Sequence, residues 1–239
     1  MTGNDTQVKA MTILERLAAG DLLISDGATG TYLQQHGLEP GGCPEEFNAS
    51  RPDVVEGMAK AYFDAGSDMV LTNTFGGSRF MQKKYGYESR VSEFNRLAAE
   101  QAKSQAPDSN HYAVGSIGPT GEFLEPLGTV SDSEMYDSMT EQITALVEGG
   151  ADAILMETQM AIEEAIIGVK AAKDNTDLPV IATMVFDKGP RGFFTMMGVT
   201  PEQAVTGLRG AGADIVGANC GNGIDVMLEL AQKMRAVDD

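Results

Sequence analysis

Three side chains that could do chemistry stand where predicted β-strands end: the thiol of Cys220 and the carboxylates of Asp26 and Glu157. Cys220 closes the stretch Gly217-Ala218-Asn219-Cys220, directly after the apolar pair Ile215-Val216. Parallel strands bring their catalytic groups together at their C-terminal ends, so we expect these side chains to share one pocket. A thiol at such a position is a candidate nucleophile or metal ligand.

Two carboxylates in one pocket have more than one interpretation. They could serve as the acid and base of glycoside hydrolysis. The chain has no Trp, however, and only Phe75 and Phe186 lie near predicted strand ends, so a stacking platform for a sugar is lacking. Charge balance favours an amine-bearing ligand held by both carboxylates, with Cys220 left for sulfur or metal chemistry. A turn or helix-capping role for Asp26 stays open.

A repeated junction positions these residues. Gly66-Ser67-Asp68, Gly150-Ala151-Asp152 and Gly212-Ala213-Asp214 each end a helical pattern and lead into an apolar strand. Such runs are typical of parallel strands buried on both faces. The sequence therefore predicts an α/β fold of the (β/α)8 TIM-type barrel class, with about six βα units present.

The predicted elements follow from apolar periodicity. A helix over 6–19 is expected to cover the bottom of the sheet, and a loop over 33–51 to cover the site. The predicted strands are 22–24, 69–73, 112–117, 153–157, 179–185 and 215–219. The predicted later helices are 52–65, 88–106, 131–149, 162–172, 200–210 and 223–236. Cys43 is interpreted as a plain loop thiol.

Composition excludes some partners. Seventeen basic against 35 acidic residues give a net charge of −18, which disfavours nucleic acid and anionic membrane surfaces. Two cysteines are too few for a disulfide framework. No apolar stretch is long enough to span a membrane, and no signal peptide is evident, so we expect a cytoplasmic protein.

The same strand ends carry a family resemblance, which runs over roughly residues 11–239. It rests on five segments, in this order: Asp26-Gly27-Ala28-Thr29-Gly30-Thr31, Thr72-Asn73-Thr74-Phe75, Gly115-Ser116-Ile117-Gly118-Pro119, Met156-Glu157-Thr158 and Gly217-Ala218-Asn219-Cys220-Gly221. They resemble successive signatures of the homocysteine S-methyltransferase family. That family includes the homocysteine-binding module of cobalamin-dependent methionine synthase and betaine–homocysteine methyltransferase.

The resemblance implies a barrel in which zinc, held by three cysteine thiolates, captures homocysteine as its thiolate for attack on a methyl group. Cys220 matches the first zinc ligand, and Asp26 and Glu157 match the carboxylates that hold the amino group of the substrate. The remaining matched substrate-binding positions are Gly27, Asn73, Thr74 and Asn219.

The chain departs from the family where the other two zinc ligands are expected. The family has an adjacent cysteine pair on its last strand, whereas no Cys follows Cys220 here. His36 and His111 are poorly placed to substitute, so we expect weak zinc binding or none. We interpret residues 1–239 as one homocysteine-binding barrel domain lacking its last two βα units. Truncation, completion by another polypeptide, or self-association through exposed barrel edges would each account for this.

The methyl donor and the function class have alternatives. Betaine needs a cage of aromatic rings, for which the chain offers few side chains, so methylcobalamin on a corrinoid partner protein is favoured. S-methylmethionine is also compatible. The alternative to an enzyme is a non-catalytic subunit that binds homocysteine or serves in assembly. A barrel lyase or aldolase would want a Lys at a strand end, where this chain has none.

Overall fold

The computed structural model describes residues 10–238 of the chain. The strands are β1 Met69–Leu71, β2 Tyr112–Ile117, β3 Ala153–Gln159, β4 Val180–Met184, β5 Asp187–Gly189, β6 Gly192–Phe194 and β7 Ile215–Ala218. Five of them form one parallel sheet in the order β1-β2-β3-β4-β7, and β5 and β6 form a separate antiparallel hairpin.

Helices fill the connections between the strands. They are α1 Ile13–Ala18, α2 Thr29–Gln35, α3 Phe47–Ser50, α4 Pro52–Asp64, α5 Arg79–Lys83, α6 Val91–Ser104, α7 Asp132–Glu148, α8 Ile162–Asn175, α9 Pro201–Ala211 and α10 Ile224–Arg235. Capping boxes fix three starts, because a hydroxyl at the N-cap and an acid or amide three residues later satisfy each other's backbone N–H groups. These N-caps are Thr12, Ser131 and Thr200.

Spatial order in the parallel sheet follows chain order, and a helix joins each strand to the next. A doubly wound sheet would reverse direction at a switch point, which this sheet does not. The observed order confirms the predicted α/β class and the sequential arrangement of a barrel. Within residues 10–238, no helix has both the length and the apolar character needed to cross a bilayer.

The first predicted strand, 22–24, is wrong as a full strand. Only Ser25 forms a parallel bridge, to Met69 of β1. Asp26 N also donates to the Met69 carbonyl at 3.0 Å, so the segment does lie beside β1. Leu22 and Ile24 are 86% and 56% exposed, whereas Leu23 packs against the cluster around Ile13, so the apolar side chains of the segment are buried on one face only.

The repeated junction aspartates connect neighbouring strands at their N-terminal ends. Asp152 accepts hydrogen bonds from Ala113 N of β2 at 2.9 Å and from Lys103 Nζ of α6 at 2.7 Å. The other two junctions repeat this pattern: Asp68 with Ile24 N and Arg16, and Asp214 with Val180 N and Lys173. The motif therefore fixes strand register and docks a helix at the end of the sheet opposite the predicted pocket.

Two apolar layers flank the sheet. On one face, Val114 and Leu155 pack with Ile13 of α1, which confirms that the first helix closes the bottom. On the other face, Ile154 and Met156 pack against the surrounding helices.

Several boundaries and elements differ from the prediction. The first helix begins at Ile13, after the Thr12 cap, and predicted positions 6–9 lie outside the described residues. The loop after Asp26 winds into α2, and the 33–51 connection contains a 3-10 turn, Pro44–Glu46, and α3. The prediction missed α5 and the β5–β6 hairpin, because such short elements show no clear period.

Candidate functional site

A cavity of about 650 Å³ opens at the C-terminal ends of the strands. Alternate residues of each strand face it, since successive side chains point to opposite faces. Its apolar floor and polar rim are therefore built by the same strands, two residues apart. These floor and rim pairs are Val114 with Ser116, Leu155 with Glu157, and Ile181 with Thr183.

Asp26 lies half-buried on the cavity wall and is held by one backbone and one side-chain hydrogen bond. Its Oδ2 accepts from Leu71 N at 2.9 Å, and its Oδ1 accepts from Ser25 Oγ at 3.1 Å. Burial raises the pKa of Asp26 to about 6, and the nearby charge of Glu157 adds to the rise. Burial therefore outweighs the hydrogen bonds from Leu71 and Ser25, which favour the charged form of this carboxyl.

Glu157, at the end of β3, faces the same cavity. Its Oε2 accepts from Ser116 Oγ of β2 at 2.6 Å, and its Oε1 accepts from Asn219 Nδ2 at 3.4 Å. Burial raises the pKa of this carboxyl as well. Two under-solvated carboxylates in one cavity favour a cationic ligand.

Asn219 and Cys220 complete the rim after β7. The Asn219 carboxamide accepts from Thr183 Oγ1 at 2.7 Å and donates to Thr158 Oγ1 at 2.7 Å. Its Nδ2 also lies 3.3 Å from Cys220 Sγ. Cys220 is exposed on the cavity wall, so its thiol is accessible to a ligand.

The other sequence-predicted positions lie on the cavity wall but differ in what their side chains do. Asn73 Nδ2 donates to the Pro44 carbonyl and to Asn48, which ties the end of β1 to the 33–51 connection. Thr74 is fully buried and donates to the Ser116 carbonyl. Gly27 leaves room for Tyr62, whose hydroxyl would lie 3.2 Å from a Cβ there. These positions shape the wall.

Zinc, which the resemblance implies, does not fit the described residues. Among residues 10–238 no three His, Cys, Asp or Glu side chains form a group that could hold a metal ion. Cys43 is buried away from Cys220 in its own cluster, where Sγ donates to Glu45 and Gln82. Burial raises the pKa of Cys43 to about 11, which disfavours the thiolate that a metal needs. Cys220 alone supplies one thiol.

Sequence reasoning missed Ser116 and Thr183 as rim residues. A signal for both was present, because they stand two residues after apolar floor positions of their own strands. Thr158 follows Glu157 directly, and it contacts Asn219 without lining the cavity itself.

Comparison with known protein families shows which family this chain belongs to. The model described as homocysteine S-methyltransferase matches residues 23–239. The chain belongs to the homocysteine S-methyltransferase family. The predicted resemblance is thus confirmed.

Individual members of the family extend this result. Methionine synthase of Mycobacterium tuberculosis is 32% identical over 247 residues, covering 96% of this chain and 20% of that protein. Betaine–homocysteine S-methyltransferase 1 of Sus scrofa is 29% identical over 228 residues, covering 93% of this chain and 79% of that protein. The chain therefore spans about a fifth of the length of the mycobacterial methionine synthase that it matches.

A solved structure supports the fold. The metallated form of the homocysteine methyltransferase MmuM from Escherichia coli superposes with a TM-score of 0.79. The match covers 94% of this chain and 83% of that chain, at 17% sequence identity. At that identity the likeness is evidence of a shared fold, and it agrees with the predicted barrel class.

Proposed function

We propose that this family member binds homocysteine in the cavity and presents its sulfur for methylation, which would make methionine. The observation that carries the proposal is the pair of half-buried carboxylates, Asp26 and Glu157, on one cavity. Among the described residues, no basic side chain is a main cause of the pKa shift of either one. The ammonium group of an amino acid supplies the missing positive charge.

The rest of the cavity suits the other parts of homocysteine. Leu155 and Ile181 offer an apolar floor to the methylene groups. With the ammonium on the carboxylates, the sulfur would reach the exposed rim at Cys220, where a donor can approach. Fixing the amino acid in this way supplies orientation, which lowers the entropic part of the barrier.

Zinc activation is not part of the function proposed for this chain. The resemblance implies three thiolates, and the described residues supply only Cys220. In the proposed function, the residues of this chain bind and orient homocysteine, the acceptor of the methyl group.

For the methyl donor we infer a methylated corrinoid protein. Phe75 is the one aromatic residue on the described cavity wall, so a cage for the quaternary ammonium of betaine is lacking. A desolvated cage contributes about 2 kcal/mol, roughly thirtyfold in binding. The methionine synthase relative, which matches nearly the whole chain, is in keeping with a corrinoid donor.

Methionine formation tests this function and its donor. We expect homocysteine and methylcobalamin to give methionine at least about tenfold faster than homocysteine and betaine, because only betaine needs the cage. Labelled methionine is quantified with each donor, including S-methylmethionine. Glu157→Gln should lower the rate, whereas Asp64→Asn, which changes an exposed carboxylate on α4, should not. A faster rate with betaine would contradict the donor assignment.

A non-catalytic homocysteine-binding subunit is the second candidate. The incomplete thiol set favours it, since the described residues do not hold the implied metal. Two results together would favour this second function over the first. Homocysteine would bind tightly, and methionine would form no faster than without protein for any of the three donors.

A further inference from the structure

Two residues near the cavity have an unusual backbone conformation. Within residues 10–238, Thr158 and Cys220 are the non-glycine residues with positive φ, at 56° and 61°. This left-handed region is costly for L-residues, and a β-branched threonine there is a marked outlier. The two residues follow different strands but meet, with Thr158 Oγ1 3.6 Å from Cys220 Sγ. Strain that the surrounding structure maintains in this way is common at functional sites.

A β-bulge places Thr158 at this position. Met156 of β3 pairs with Ala182 of β4, whereas Gln159 pairs with Met184, so three steps on one strand match two on the other. A bulge interrupts the alternation of side chains and re-aims one of them. Glu157 and Thr158 are therefore both partly exposed beside the cavity, although they are consecutive.

Thr158 holds both ends of the Asn219 carboxamide. Its N–H donates to Asn219 Oδ1 at 3.1 Å, and its hydroxyl accepts from Asn219 Nδ2 at 2.7 Å. The same Nδ2 lies 3.4 Å from Glu157 Oε1 and 3.3 Å from Cys220 Sγ. The carboxamide is thus the bridge between the acid and the thiol, and Thr158 fixes its orientation.

We propose that Thr158 is a positioning residue that, through Asn219, holds the Glu157 carboxylate and the Cys220 thiol at one separation. This role rests on the proposed function, because the separation matters only if one amino acid contacts both groups. The ammonium of the ligand then lies at Glu157 while its sulfur lies beside Cys220.

The positive φ of Thr158 indicates that its hydroxyl has a specific use. Glycine adopts positive φ without steric cost, so backbone shape alone would be met better by glycine. Threonine accepts the cost and adds the oxygen that binds Asn219 Nδ2. Removing the hydroxyl and relieving the strain are therefore separable by substitution.

The test measures how well bound methionine shields Cys220 from iodoacetamide at fixed pH. Cys220 is exposed and Cys43 is buried, so mass spectrometry of the intact chain follows Cys220 first. The shielding factor is the alkylation rate without methionine divided by the rate at saturating methionine. The variants are Thr158→Val, Thr158→Ser and Thr158→Gly. Thr206→Val is the matched control, since that hydroxyl bonds only within α9.

We expect shielding of at least about tenfold in the wild type, in Thr158→Ser and in the control. Thr158→Val and Thr158→Gly should fall below about threefold, while calorimetry shows methionine affinity within about threefold of wild type. Thr158→Gly should keep a melting temperature near the wild-type value, because relief of the strain offsets the lost Asn219 hydrogen bond and the greater freedom of the unfolded chain. Lost shielding in a chain of unreduced stability would exclude general unfolding as the cause.

Different results would separate a wrong role for Thr158 from a wrong function for the cavity. Wild-type shielding that persists in Thr158→Val would overturn the role of Thr158 and leave the proposed function intact. Absence of methionine and homocysteine binding to the wild type would overturn the proposed function, and the positioning role with it. Binding without any wild-type shielding would show that ligand and thiol do not meet, which also overturns the positioning role.

Discussion

Replacing Glu157 with glutamine is expected to weaken homocysteine binding by about thirtyfold, or about 2 kcal/mol, the usual range for a hydrogen bond to a charged group. Glutamine keeps the size of the side chain and can still accept from Ser116 Oγ, now 2.6 Å from Oε2. It removes the negative charge that the ammonium would meet. Isothermal titration calorimetry at pH 7.5 measures the difference.

The control for this substitution is Asp64→Asn, which removes an exposed carboxylate paired with Lys60 on α4. Its affinity for homocysteine should equal that of the wild type, so an effect of net charge alone is excluded. Equal affinity in Glu157→Gln and wild type would show that the carboxylate does not hold the ammonium group.

The second large effect is on pH dependence. The pKa of Asp26 is about 6 in the ligand-free protein, raised from 3.8 first by burial. An ammonium ligand binds the ionised form, so the part of the affinity that depends on Asp26 should be constant above this pKa and fall about tenfold per pH unit below it. The amino group of the ligand, with a pKa of about 8 or higher, stays protonated throughout. Titrations between pH 4.5 and 7.5 measure this profile.

The charge of Glu157 adds to the rise in the pKa of Asp26. Burial, and after it the charge of Asp26, raises the pKa of the Tyr62 phenol. Asp26→Asn should therefore bind homocysteine weakly at every pH and lose most of the slope near pH 6. An unchanged slope in this variant would assign the titration to another group.

The raised pKa of Asp26 also determines how the stability of the fold changes with pH. The folded state holds the Asp26 proton more tightly than the unfolded state, so the free energy of unfolding should decrease as pH rises from about 3.8 to about 6. Asp26→Asn should remove this part of the decrease in ligand-free protein. Thermal denaturation over that window serves as the measurement.

The spacing and composition of apolar residues were sufficient to predict the parallel sheet. The strands from β1 to β7 that form the parallel sheet were predicted to within two residues, because buried parallel strands are continuously apolar. Asp26, Glu157 and Cys220 were placed together on the same argument, and the cavity does bring them to one wall. Their roles stay proposals.

The parts that the sequence did not predict depend on contacts between distant segments. The bulge at Thr158 depends on how β3 meets β4, which no local pattern encodes. The Asn73 amide and the Thr74 hydroxyl donate to backbone carbonyls of neighbouring segments, which the spacing of residues in the sequence cannot show. The segment 22–24 looked like a strand because it is apolar, but in the described structure only Leu23 packs against a core cluster, while Leu22 and Ile24 are exposed.

Asp26 and Glu157 together are proposed to hold the ammonium group of homocysteine. The most direct measurement compares calorimetric titrations of homocysteine and N-acetylhomocysteine, which keeps the thiol and carboxylate but has no positive charge. We expect a single site for homocysteine and at least about a hundredfold weaker binding of the acetylated compound, since two charge-assisted contacts are lost. Equal affinity for the two compounds would contradict it.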